Sequence, residues 1–143
     1  MRKIFKYLAV ATFASLTFQL SAQEKPLSQQ MANTVMEIWK DSLNLDPAKP
    51  KAVKWAYDQG VILEGIEGIW KRTADGEYFK YMQKSMDFFV TKDGVINRYK
   101  QADYNIDNVK NGRTLLTLYN VTGQQKYFKA ATTLWEQLKG QPR

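Results

Sequence analysis

The stretch DNVKNGRTLLTLYNVTGQQKYFK, Asp107–Lys129, lies 49 residues after DQGVILEGIEGIWKRTADGEYFK, Asp58–Lys80. With one laid on the other, Asp58 falls on Asp107, Thr73 on Thr122, and Tyr78, Phe79 and Lys80 on Tyr127, Phe128 and Lys129, while Trp70 meets Tyr119. Three consecutive identities behind turns of matched length point to a repeated unit. Within it, Ile62, Ile66, Ile69 and Trp70, then Tyr78, Met82, Met86 and Phe89, recur at helical spacing on either side of the turn ADGE. The second copy repeats this around NVTGQ, with Leu115, Tyr119, Phe128, Ala131, Trp135 and Leu138 expected inward. Each unit therefore reads as helix, turn, helix.

Working outward, Ser28 can cap an earlier helix with Met31, Val35, Ile38 and Trp39 on its stripe. Pro47 and Pro50 end that helix, because proline lacks the amide hydrogen and disfavours helical geometry in the residue before it. Between the two hairpins runs a 16-residue connector, Thr91 to Ile106. That exceeds the ~12–15 residues usual for idle loops, so the connector is expected to shape the mouth of a site. Its segment DGVINRY is the one place where a small hairpin or strand is expected. The fold class is all-α.

A 49-residue hairpin is long for a tetratricopeptide-type solenoid, whose unit is ~34 residues, and suits an α/α toroid built from inner and outer helices. Gly60, Gly65, Gly68 and Gly112 would let inner helices approach closely, or would serve local bends; glycine inside a helix otherwise costs ~1 kcal/mol relative to alanine. The inner helices would start at Asp58 and Asp107, with their amino ends opening on one side of the ring. A carboxylate there is stabilised by free amides and by the helix dipole. Asp107 is thus read both as a helix cap and as a candidate site residue, and the two roles are compatible.

The chain opens MRKIFKYLAVATFASLTFQLSAQ, a cationic start, an uncharged run from Tyr7 to Phe18 and then small residues, which reads as a secretory signal over residues 1–22. The run is short against the ~20 apolar residues of a spanning helix, so the mature chain, residues 23–143, is expected to be exported to the periplasm or beyond with no membrane partner. Without Arg2, Lys3 and Lys6 it carries 18 basic and 14 acidic side chains, net +4, with no basic stripe to suggest nucleic acid. Cysteine and histidine are absent. Disulfides, thiolate nucleophiles, histidine triads and the usual zinc sites are thereby excluded in this chain, and acid/base chemistry falls to carboxylates.

WAYDQGVILEGIEGIWKRT and YNIDNVKNGRTLLTLYNVTGQQKYFKAATTLWEQLKGQPR, with the loop between them, resemble the unsaturated glucuronyl and rhamnogalacturonyl hydrolases of glycoside hydrolase families 88 and 105. YNIDNVKNG and LKGQPR are the most specific parts, and the rhamnogalacturonyl type is the closer. The resemblance implies an (α/α)6 barrel, of which this chain would be a partial toroid with an incomplete ring. It implies removal of the unsaturated uronate that a polysaccharide lyase leaves at the non-reducing end of an oligosaccharide, with no cofactor or metal. Asp107 matches the first of the family's two active-site aspartates, which positions water and substrate. Tyr57, Trp55 and Asn105 fall on the substrate side, although core packing is the preferred reading of Trp55.

In relatives a Trp-Leu-Asp-Gly motif carries the second aspartate, the principal proton donor, beyond the counterpart of QPR. Six hairpins of ~49 residues need roughly 290 residues, so the expectation is a fragment holding residues 23–143 of the domain, with an uncovered face prone to self-association. The competing expectation is a non-catalytic exported helical-repeat module that binds carbohydrate or peptide.

Overall fold

The computed structural model describes residues 24–40 and 54–142. The signal segment, Pro47 and Pro50 lie outside them. Five α-helices are present among the described residues: α1 (Leu27–Ile38), α2 (Tyr57–Thr73), α3 (Gly76–Asp87), α4 (Gly112–Thr122) and α5 (Gln125–Lys139). Two 3-10 helices, Gln101–Asp103 and Ile106–Asn111, precede α4. The 49-residue shift maps these elements onto one another end to end. Tyr57–Thr73 becomes residues 106–122, which is the second 3-10 helix plus α4, and α1 becomes residues 76–87, which is α3. α1 is therefore the outer helix of a preceding unit.

The repeat extends to atomic detail. At the first turn the Thr73 hydroxyl donates to Ile69 O and accepts from Asp75 N; at the second the Thr122 hydroxyl donates to Leu118 O and accepts from Gln124 N. Each helix ends on a residue in left-handed geometry, Ala74 at φ 56° and Gly123 at φ 67°. Trp70 stacks on Phe79 at 5.0 Å and 44°, and Tyr119 on Phe128 at 5.0 Å and 41°.

α2 and α4 run parallel, because their contacts rise in step along both. Asn111 Nδ2 donates to Ala56 O, Lys110 and Arg113 both pair with Glu64, and Thr117 Oγ1 donates to buried Glu67. Their starting ends thus open on one side, as a toroid requires. Gly60 permits the approach: a Cβ there would lie 2.6 Å from Lys110 Cγ and 3.1 Å from Asn111 N. Gly112 faces Leu134 closely, but Gly65 and Gly68 face open space, so close packing explains only the first pair.

The core lies between inner and outer helices, with Leu63, Met82, Met86, Leu115, Leu118 and Tyr127 fully buried. Tyr127 donates to Asp87 at 2.6 Å, and burial together with that bond raises its pKa. Tyr81 donates to Trp39 O at 3.0 Å, and burial pushes its pKa up to about 12.

Three local expectations need correction. Pro26, not Ser28, stands at the N-cap of α1, because the rigid ring at φ −50° already sets the helix entry. On α1 the inward side chains are Ala32, Val35, Met36 and Trp39, while Met31 and Ile38 are exposed. In the second hairpin Phe128, Trp135 and Leu138 are exposed and Tyr127, Leu134 and Gln137 buried, a one-residue rotation of the α5 stripe. A minimal hairpin, a single antiparallel bridge, joins Ile96 of the connector to Val90 just ahead of it, and Ile96 lies in the segment expected for such structure. Gly94 at φ 88° turns it, close against Lys129 and Lys126 O.

Candidate functional site

Asp107 is the second residue of the Ile106–Asn111 helix rather than its cap. Asn105 holds that position, and its side-chain oxygen accepts from Asp107 N at 3.0 Å. The reason is local: an Asx side chain two residues ahead of an amide closes a tight turn, and Asn105 is better placed to do so than Asp107. Asp58, the repeat counterpart, likewise sits in the first turn of α2, behind Ala56 at the N-cap. Asp107 is exposed and its carboxylate makes no hydrogen bond or ion pair to any described residue. An anionic acceptor is therefore left open to solvent at the amino end of an inner helix.

The backbone that carries it is fixed from three sides. From the segment leading into α2, the Trp55 indole N–H donates to Asn108 O at 2.8 Å. From within, Asn111 Nδ2 donates to Ala56 O at 3.0 Å. From α5, buried Gln137 donates to Asn105 O at 3.1 Å and accepts from the Tyr99 hydroxyl at 2.7 Å. One turn later Gln141 Nε2 donates to Tyr104 O at 2.8 Å, and Tyr104 itself takes left-handed geometry at φ 46°. The connector and the end of α5 are thus one structural unit, which gives a physical reason for YNIDNVKNG and LKGQPR to occur together.

Trp55 is buried among Phe89 and Tyr99, with ring centroids at 5.4 and 6.4 Å in edge-on geometry. Its polar atom is consumed by Asn108, so it anchors the turn and offers no open face to a sugar. Tyr57, two residues on, is half exposed at the start of α2, which packs on the helix bearing Asp107. Asn105 is exposed, with its side-chain oxygen committed to the cap. The structure brings Tyr57, Asn105 and Asp107 to one end of the α2/α4 pair and places Trp55 beneath them.

Gln137, Gln141, Tyr99 and Asn111 were not anticipated from the sequence. The available signal was an amide at the inward position after Leu134, since a buried Gln requires partners. No cluster of three metal-binding side chains occurs among the described residues.

Comparison with known proteins places this arrangement. The family model for Glycosyl Hydrolase Family 88 matches residues 27–143. A solved structure of a glycoside hydrolase from family 105 of C. acetobutylicum ATCC 824 superposes with a TM-score of 0.71 at 36% identity, over 83% of this chain and 31% of that one. The chain therefore spans about a third of the length of that enzyme, and its helices form a partial helical toroid of that kind. By these matches the chain belongs to glycosyl hydrolase family 88.

Proposed function

We propose that this chain supplies the Asp107 side of an active site that acts on the unsaturated uronate at the non-reducing end of lyase-generated oligosaccharides. The observation that carries the reading is the open Asp107 carboxylate on a turn anchored by Trp55, Asn111 and Gln137. In the proposed reaction a second carboxylic acid protonates the C4=C5 double bond, water adds at C5, and the hemiketal so formed rearranges with opening of the glycosidic link. The unpaired Asp107 side chain suits orientation of the water and of a sugar hydroxyl by accepting their hydrogen bonds. The exposed ring of Tyr57 would bury apolar sugar area while the polar edge stays free. Asn105 keeps Asp107 in register.

The proton donor is proposed to reside in a segment outside these 143 residues, which contain no Trp-Leu-Asp-Gly motif. The chain alone would then show no turnover, and its leader would direct it out of the cytoplasm. The test is an ultraviolet assay for loss of the C4=C5 chromophore in unsaturated disaccharides. Parent chain and Asp107→Asn are measured with and without the C-terminal portion of a family 105 enzyme. Turnover only in the combined sample, lowered at least a hundredfold by Asp107→Asn, is expected. Strong activity from the purified chain alone would refute the placement of the proton donor, and unimpaired Asp107→Asn would refute the role of Asp107.

A further inference from the structure

A cavity of about 400 Å³ lies between the connector hairpin and α5, with Asp93, Ile96, Tyr99, Gln101, Lys129 and Thr133 in its lining. Lys129 and Thr133 occupy the flank of α5 that faces the first hairpin, where Lys126 pairs with Asp87. Trp135 and Leu138 lie on the other side of the buried stripe of Tyr127, Ala130 and Leu134. A further hairpin packed beside the second would therefore leave the cavity open.

The 49-residue shift shows that the repeat does not require this cavity. Lys80 pairs with Glu77 at 2.7 Å, but the residue corresponding to Glu77 is Lys126, so Lys129, the counterpart of Lys80, loses that partner. Lys84 reaches Lys40 O at 2.9 Å, and its counterpart is Thr133, whose shorter side chain leaves room. Gly94, at φ 88°, lies on the Lys129 stem, where a Cβ would come within 2.6 Å of Lys129 Cβ. That contact fixes the stem, and the ammonium group pairs with no described residue. The Asp93 carboxylate, on the same cavity, makes no hydrogen bond or ion pair to a described residue either.

We propose that this cavity binds a neutral sugar ring. The Tyr99 hydroxyl is committed to Gln137 at 2.7 Å, so Tyr99 offers its ring, and with buried Ile96 it supplies an apolar wall. Around that wall Lys129 can donate, Asp93 can accept, and Gln101 and Thr133 can do both. Apolar area beside mixed donors and acceptors matches a pyranose, whose C–H face is apolar and whose hydroxyls both donate and accept. The two opposite charges offset each other, and a uronate would set its own carboxylate near Asp93. A free amino acid could meet both charges but would leave Gln101, Thr133 and the apolar wall unused. The site requires neither Asp107 nor the activity proposed above.

The experiment titrates the isotope-labelled full chain with L-rhamnose, D-galactose and D-glucose, with D-glucuronate and serine as charged comparisons, and follows amide resonances. At least one neutral sugar is expected to move Gly94 and Thr133, with a dissociation constant of about 1–10 mM. Asp93→Asn and Lys129→Met should each weaken binding by about fivefold or more, and Trp135→Ser on the other flank should leave it unchanged. All three positions are exposed, and circular dichroism checks that each variant folds as the parent does. No movement at about 50 mM of any neutral sugar would overturn the proposal. Binding indifferent to either Asp93→Asn or Lys129→Met, or tighter binding of glucuronate or serine than of any neutral sugar, would overturn it as well.

Discussion

The Trp55 indole N–H and the Asn108 carbonyl are joined at 2.8 Å across 53 residues of sequence, so the segment leading into α2 holds the residue next to Asp107. Trp55→Phe keeps most of the packing against Phe89 and loses this bond, at an expected cost of about 1 kcal/mol. Trp55→Ala removes the ring as well, with a loss of about 3–5 kcal/mol. Denaturant unfolding of both variants checks the order; a Trp55→Phe chain as stable as the parent would remove the anchoring role.

Gly60, Gly65, Gly68 and Gly112 differ in their surroundings. Gly60→Ala forces a Cβ against Lys110 and Asn111 and is expected to destabilise by about 1–3 kcal/mol. Gly65→Ala and Gly68→Ala enter open space inside a helix and should each stabilise by roughly 0.5–1 kcal/mol. Thermal midpoints moving in opposite directions are the measurement.

Alkaline unfolding should be steeper than exposed tyrosines would produce. Burial raises Tyr81 from 10.0 to about 12 and raises Tyr127 as well, with help from Asp87. In that interval the unfolded chain has lost protons that the folded chain retains. Stability is then complete below pH 10.0 and falls as pH rises toward about 12. The expected slope is about 1.4 kcal/mol per pH unit for each such residue. Unfolding free energies against pH test this, and Tyr81→Phe should flatten the curve.

Gln137 satisfies the Tyr99 hydroxyl and the Asn105 carbonyl from a buried position. Gln137→Leu strands both and should cost about 1–3 kcal/mol. Hydrogen exchange should report this most strongly at the amide of Asp107, whose protection depends on Asn105 staying in place. Equal acceleration throughout α5 with none at Asp107 would contradict this coupling.

The hairpins could be read in advance because Tyr-Phe-Lys recurs behind equal turns and because a helix stripe needs only spacing. The orientation of α5 was less accessible: Trp135 and Leu138 are apolar and correctly spaced, yet they line a groove, while Tyr127 and Gln137 turn inward with polar atoms paired. Hydrophobicity marks what can be buried, and partners decide what is. The same limit applied to Asp107, since carboxamide and carboxylate both cap helices and only the turn geometry selected Asn105. The connections through Gln137 and Gln141 span more than 30 residues and left no local periodic signal.

Residues 106–111 wind as a 3-10 helix where their counterparts 57–62 are α-helical. A 3-10 helix rises ~2.0 Å per residue against ~1.5 Å, so six residues gain about 3 Å of axial length. Two aspartates written at equivalent letters are thereby given unequal reach: Asp107 stands farther out along its helix than Asp58 does along its own. A repeated scaffold thus sets two identical acids at different distances from the helices that follow them, through this local stretching of the backbone alone.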